Sequence, residues 1–136
     1  MNLVIDTNIF ISALIKNSSV REIIVNSGYN LLFPEFEFEE IRRHKQEIIK
    51  KSGSSEKEFD ILLLRLLNYV KIIPANIILN YKRQAFEIIG RTDPDDIIFV
   101  ATALAFNCPI WSEDKHFRKQ NKIKIITTKD MIGYLK

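Results

Sequence analysis

Short apolar runs alternate along this chain with longer stretches of helical spacing. Leu3-Val4-Ile5, Leu31-Leu32-Phe33, Val70 to Ile73, Ile110-Trp111 and Lys124 to Ile126 are brief, largely β-branched or aromatic, and closed by polar residues or proline. Runs of that length and composition predict five short buried strands. Between them the apolar positions recur three or four residues apart, which predicts helices. The first covers Ile9 to Ile15 with Thr7 or Asn8 as its cap, and the second covers Val20 to Ser27 and stops at Gly28. A long helix is expected from about Glu35 to Lys51, and another from the break Ser52-Gly53-Ser54-Ser55 to about Tyr69. Further helices are expected over Ile78 to Ile89 (stopped by Gly90), Asp93 to Phe106, and Thr127 to Leu135.

Strands that alternate with helices pair in parallel and need cover on both faces. The fold class is therefore α/β, with right-handed crossovers. Its 136 residues fit one domain, residues 1–136, with no internal repeat or low-complexity tract. The Ser52–Ser55 break is too short for a domain linker and reads as a turn.

Composition changes this picture little. Hydrophobic residues are 46% and charged residues 27%, the balance of an ordinary globular chain, and the net charge of +3 permits an anionic partner without requiring one. Cys108 is the only cysteine, so an internal disulfide and a cysteine-based zinc site are excluded. MNLVIDTN does not read as a secretory leader, and the apolar runs fall far short of the ~20 residues of a membrane span, so a cytoplasmic location without membrane contact is expected.

In parallel α/β sheets, ligands bind beyond the carboxyl ends of the strands, which singles out acids that follow strands. Asp6 directly follows the first strand, and Asp114 follows Ile110-Trp111 with Ser112 between. Helix capping explains either acid equally well on position alone. In Asp93-Pro94-Asp95-Asp96, capping and the helix dipole account for Asp93 and Asp95. Asp96 differs, because it shares a helix face with the apolar stripe of Ile97, Val100, Ala101, Leu104 and Ala105. A carboxylate on that face is partly desolvated and needs a partner, of which a metal ion is one. Glu40 stands in the acidic start of the long helix with Glu35, Glu37 and Glu39. Those three read as a solvated, dipole-favoured helix end, while Glu40 borders the buried side marked by Phe38, Ile41 and Ile48. Oxygen-only ligands suit hard cations such as Mg²⁺ or Mn²⁺.

Four stretches together resemble the PIN-domain nucleases, including the VapC-type toxins. They are Leu3-Val4-Ile5-Asp6-Thr7-Asn8 with Ser12; Pro34 followed by Glu39-Glu40-Ile41; Asp93-Pro94-Asp95-Asp96 running into Val100-Ala101-Thr102-Ala103-Leu104-Ala105; and Ile110-Trp111-Ser112-Glu113-Asp114-Lys115 with Phe117, ahead of Ile126-Thr127-Thr128. The resemblance implies a three-layer α/β/α sandwich around a mostly parallel sheet of about five strands. It implies a Mg²⁺- or Mn²⁺-dependent endoribonuclease acting on single-stranded RNA, with Asp6, Glu40, Asp96 and Asp114 as catalytic and metal-binding acids. Asn8 and Ser112 take supporting roles, and Asp93 matches an extra acid of one subgroup. For the toxin members it implies a homodimer and an antitoxin partner.

Lys115 and Arg118 beside Asp114, and Arg43 after Glu40, are the candidate contacts to RNA phosphates, although most such side chains are simply solvated. Phe10, Tyr29, Phe36 and Tyr81 are candidate stacking residues, with core packing the stronger reading for the phenylalanines. His44 and His116 are too few and too scattered to argue for a zinc site; His116, near Asp114, reads as an ordinary surface histidine ahead of a substrate contact, and Ile61 to Leu67 as core or a dimer face. Two rival readings stand beside the nuclease. A haloacid-dehalogenase-like phosphohydrolase needs Asp-x-Asp after the first strand, where this chain has Asn8 in place of the second acid. A non-catalytic PIN-like domain that binds RNA or protein has less need of four carboxylates.

Overall fold

The structure, a computed structural model, describes residues 1–15 and 18–135. Five strands form one parallel sheet: β1 (Asn2–Ile5), β2 (Asn30–Pro34), β3 (Val70–Ile73), β4 (Ile110–Trp111) and β5 (Ile125–Ile126), in the spatial order β3-β2-β1-β4-β5. Among the described residues the helices are α1 (Thr7–Ala13), α2 (Ser19–Asn26), α3 (Phe38–Arg43), α4 (Lys45–Ser52), α5 (Glu56–Leu67), α6 (Ala75–Leu79), α7 (Lys82–Ile89), α8 (Pro94–Phe106) and α9 (Thr128–Tyr134). The parallel sheet and five strands are those expected from the apolar runs.

The connections explain the layers. From β1 the chain steps to β2 and β3 in one direction, then returns over the sheet through α6, α7 and α8 to place β4 on the other side of β1. The α8 helix packs on β1, β2 and β4, with α6 and α7 against it, while α2 packs against α1, α5 and α9. The direction of winding reverses between β1 and β4. The carboxyl ends of those two strands therefore flank the crevice in which such folds bind ligands.

Burial follows from this arrangement. Leu3, Val4, Ile5, Leu31, Leu32, Phe33, Ile110 and Trp111 are all buried, since a central parallel strand is covered on both faces. Every residue from Asp96 to Ala103 is buried as well, so α8 is more than an amphipathic helix with one apolar stripe, and Leu104 and Ala105 are the half-buried positions. Its ends obey local rules. The Asp93 side chain accepts from Asp95 N, Pro94 takes the first helical position, and Asn107 closes the helix in the left-handed region at φ 48°.

Several boundaries differ from expectation. The first helix begins at Thr7, because Asp6 caps it through Ile9 N; neither Thr7 nor Asn8 is the cap. The helix expected from Glu35 to Lys51 is three pieces, a 3-10 turn (Glu35–Glu37), α3 and α4, with His44 in bridge-region geometry (φ −94°, ψ 2°) between the last two. Likewise Ile78 to Ile89 is divided between α6 and α7, with Tyr81 at φ −112°, ψ 1°. Periodicity carries across such breaks because one bridge-region residue re-aims the axis without disturbing apolar spacing. The α5 helix stops at Leu67. Phe10 is core, stacked on Phe33 at 5.0 Å, whereas Phe36 is exposed. In the leucine-rich segment Leu66 is core, while Ile61 and Leu64 face solvent.

Candidate active site

Strand register brings the first two site residues together. Val4 pairs with Ile110 and Ile5 with Trp111, so the next residue along β1, Asp6, meets Ser112 beyond β4. The Asp6 amide donates to Trp111 O at 3.3 Å, and the Ser112 hydroxyl donates to Asp6 Oδ2. Asp6 Oδ1 accepts from Ile9 N at 2.8 Å. One carboxylate thus both caps α1 and faces the cleft; the capping reading and the site reading are compatible. Asp6 is only 4% exposed. Burial raises its pKa to about 6, against the lowering effect of Ser112 and the Ile9 amide.

Asp114 comes from the same edge. Its amide donates to Ser112 Oγ at 2.9 Å, and its Oδ1 accepts from His116 N at 2.9 Å, capping the 3-10 turn Lys115–Lys119. Asp96 enters from α8, 6% exposed, with Thr92 donating to its Oδ2 at 2.7 Å. Burial raises its pKa, with Asp114 and Asp93 adding to the effect. Glu40 enters from α3 and is bound by its own helix, at 2.5 Å to Arg43 Nη2 and 3.4 Å to His44 Nε2. Arg43 is therefore engaged by a site acid.

These side chains line one cleft of about 180 Å³, together with Thr7, Asn8, Ile11, Glu37, His44, Asp93, Asp95, Phe99 and Phe117. A larger hollow of about 350 Å³ lies between α1, α2 and α5. It sets Glu58 beside Arg21 and Arg65 and holds no cluster of acids. The acidic cleft brings Asp6, Glu40, Asp96 and Asp114 into one lining. Among the described residues, one potential ligand atom each of Asp96, Asp114 and His116 lies within 4.8 Å of the others, Asp96 and Asp114 lining the cleft.

Two acids read from sequence as ordinary helix-end charges belong to this lining. Glu37 is 2% exposed and its carboxyl pairs with that of Asp95. Burial, with the Asp95 charge next, raises the Glu37 pKa to about 8. Burial, with Asp93 next, raises Asp95 also. The signal was available: Glu37 lies four residues before the buried Ile41, on the inward side of the chain. Glu39 and Glu35 are exposed as expected; Glu39 pairs with Arg42, and Glu35 accepts the Ala75 amide.

Among the described residues, Glu37 Oε1 and Thr7 Oγ1 are buried in this cleft without a hydrogen-bond partner. Buried polar oxygens without a partner, beside carboxylates whose pKa values burial raises, are groups that a cation would satisfy. The donor set is rich in carboxylate oxygen, so the residues fit a Mg²⁺- or Mn²⁺-type ion.

Fold and cleft together define an α/β protein with an acidic, oxygen-rich site at the switch point of a parallel sheet. The sequence profile of the PIN domain matches residues 4–136, and the chain belongs to the PIN-domain family. No curated protein matches it. Its structure is similar to a chain of the VapBC2 complex from Rickettsia felis bound to a DNA fragment from its promoter, with TM-score 0.68 and 17% identity over 93% of this chain and 98% of that one. It is also similar to a chain of FitAcB from Neisseria gonorrhoeae, with TM-score 0.64 and 14% identity over 90% and 95% respectively. Among the described residues no helix is long and apolar enough to cross a membrane.

Ser112 offers a local test. Ser112→Ala removes the hydroxyl that donates to Asp6 Oδ2, leaving a buried oxygen without that partner. If Asp6 holds a divalent cation, proton and cation compete for its carboxylate, and the variant is then expected to bind Mn²⁺ roughly tenfold more weakly at pH 6, with a smaller loss at pH 8. Calorimetric titration at the two pH values checks this, and equal losses at both would show that Ser112 does not act through the Asp6 proton.

Proposed function

We propose that this chain, as a single PIN-like domain over residues 1–136, is a divalent-metal-dependent endoribonuclease that hydrolyses phosphodiester bonds of single-stranded RNA. The observation that carries the reading is the convergence of Asp6, Glu40, Asp96 and Asp114, from four separate elements, on one cleft at the carboxyl edge of the sheet. Asp96, Asp114 and Asp6 are the residues that would hold Mg²⁺ or Mn²⁺, with Glu40 facing the same cleft from α3. The ion, when bound, supplies Lewis acidity and positive charge against the charge that builds on phosphate during in-line attack.

The protein's own groups do the rest. Ser112 and the Ile9 amide fix the Asp6 carboxylate. Thr92 fixes Asp96. Asn8 lines the cleft mouth, and Asp93 supports α8 as its cap. Lys115 and Arg118, exposed on the turn that follows Asp114, offer charge to the RNA backbone. Arg43 pairs with Glu40 through Nη2 and is exposed, so its other N–H groups can also reach phosphate. A phosphoaspartyl mechanism of the dehalogenase type fits less well, because both Asp6 oxygens already accept hydrogen bonds and Asn8 replaces the acid that would protonate a leaving group.

The similarity to chains of VapBC2 and FitAcB supports a further part of the reading, that the protein is the toxin of a toxin–antitoxin pair, acting as a homodimer in the cytoplasm and restrained by an antitoxin. The experiment is cleavage of a labelled single-stranded RNA by purified protein. Cleavage with Mn²⁺ or Mg²⁺ should stop with EDTA and be absent in Asp6→Asn. RNA binding without cleavage under every metal condition would instead favour a non-catalytic domain, and full activity in a folded Asp6→Asn would remove the assigned site.

A further inference from the structure

His44 and His116 are the only histidines of the chain. His44 lines the acidic cleft, and His116 contacts Asp114, which lines it too. His44 lies on the Glu40 side, 3.4 Å from Glu40 Oε2 and 3.3 Å from Glu47 Oε2. His116 has Nδ1 3.0 Å from Asp114 Oδ1. The same oxygen also accepts the His116 amide at 2.9 Å. One nitrogen of His116 and one oxygen each of Asp96 and Asp114 lie within 4.8 Å of one another. Two ligands in adjacent positions on an ion with bonds of about 2.1 Å stand about 3 Å apart, close to the separation found between His116 and Asp114. The orphaned Glu37 Oε1 and Thr7 Oγ1 in the same cleft point independently to an absent ligand.

We propose that His116 is a direct nitrogen ligand of the ion held by Asp96 and Asp114, and that it tilts the site from Mg²⁺ towards Mn²⁺. The inference rests on the metal site of the nuclease reading and adds to it a donor that the carboxylate pattern does not contain. Its chemistry is that of ligand softness. Carboxylate oxygens serve Mg²⁺ and Mn²⁺ alike, whereas imidazole adds affinity for the transition ion and little for Mg²⁺.

Pulsed electron paramagnetic resonance on the Mn²⁺-loaded full-length protein tests this without reference to activity. A directly bound imidazole nitrogen gives a ¹⁴N coupling to Mn²⁺ that carboxylates cannot give. The coupling is expected in the wild type and in His44→Gln, and is expected to vanish in His116→Gln. Calorimetry should show His116→Gln binding Mn²⁺ about tenfold or more weakly, with Mg²⁺ affinity changed less than about threefold. Mn²⁺ bound without nitrogen coupling, or coupling that persists in His116→Gln, overturns the ligand assignment and leaves the carboxylate site standing. Failure of the wild type to bind Mn²⁺ at all overturns both.

Discussion

Asp96→Asn is expected to lose RNA cleavage by roughly a thousandfold or more, and at the same time to melt at a higher temperature than the wild type in EDTA. The activity loss follows from the geometry. Asp96 shares the closest ligand cluster of the cleft with Asp114 and His116, and removing even one preorganised electrostatic group from such a site costs about 10²–10³ in rate. The stability gain has a separate cause. Asp96 is buried, and burial raises its pKa, so its ionised form is unfavourable in the metal-free fold. Asparagine removes that charge yet still offers an oxygen to the Thr92 hydroxyl, which donates to Asp96 at 2.7 Å. A gain of about 1 kcal/mol corresponds to a few degrees of Tm in a domain of this size. Added Mn²⁺ should then reverse the order. The wild type gains about 2.7 kcal/mol at a hundred times its Kd, and the variant gains little. Scanning calorimetry with EDTA and with Mn²⁺ reads both halves. A variant that melts lower than the wild type in EDTA would show that Asp96 is a structural acid rather than one held in an unfavourable state for an ion.

That opposition between site and stability marks where the sequence was legible. Short apolar runs located all five strands, because the central strands β2, β1 and β4 are covered on both faces and read as unbroken apolar stretches. Asp93-Pro94 located the start of α8 because capping chemistry is local, and Asp96 was read as inward-facing from the apolar residues of its own helix. Three features needed the third dimension. The meeting of Asp6 with Ser112 depends on the register of β1 against β4, which no local pattern encodes. The break at His44 re-aims α4 while leaving the apolar spacing intact. Glu37 was read as solvated through its company of acids, although its spacing from Ile41 placed it inward. Asp6 and Asp114 were legible as candidates and ambiguous as to role, and the structure shows why: both, like Asp93, cap a helix or turn while lining the cleft.

Glu37 gives the second large effect, on pH dependence rather than rate. Its carboxyl ionises near the ordinary glutamate value in the unfolded chain and at about 8 in the fold, through burial and the neighbouring Asp95 charge. Between those values the folded state holds a proton that the unfolded state has released. Stability contributed by this group is therefore complete below about pH 4.5, falls as pH rises, and stops falling above about pH 8. Asp6, raised to about 6, acts with the same sign over a lower window. The metal-free wild type should consequently lose Tm between pH 5 and pH 8. Glu37→Gln keeps the size of the side chain and a donor for Asp95 but cannot ionise. It should retain the Asp6 part of the slope below pH 6 and lose most of the slope between pH 6 and pH 8, melting roughly 5 °C or more above the wild type at the upper end. The difference between the two proteins isolates Glu37 from the histidines, which both proteins share. Parallel Tm curves from pH 6 to pH 8 would mean that Glu37 carries its charge in the fold, and that the pairing with Asp95 needs a cation to hold it.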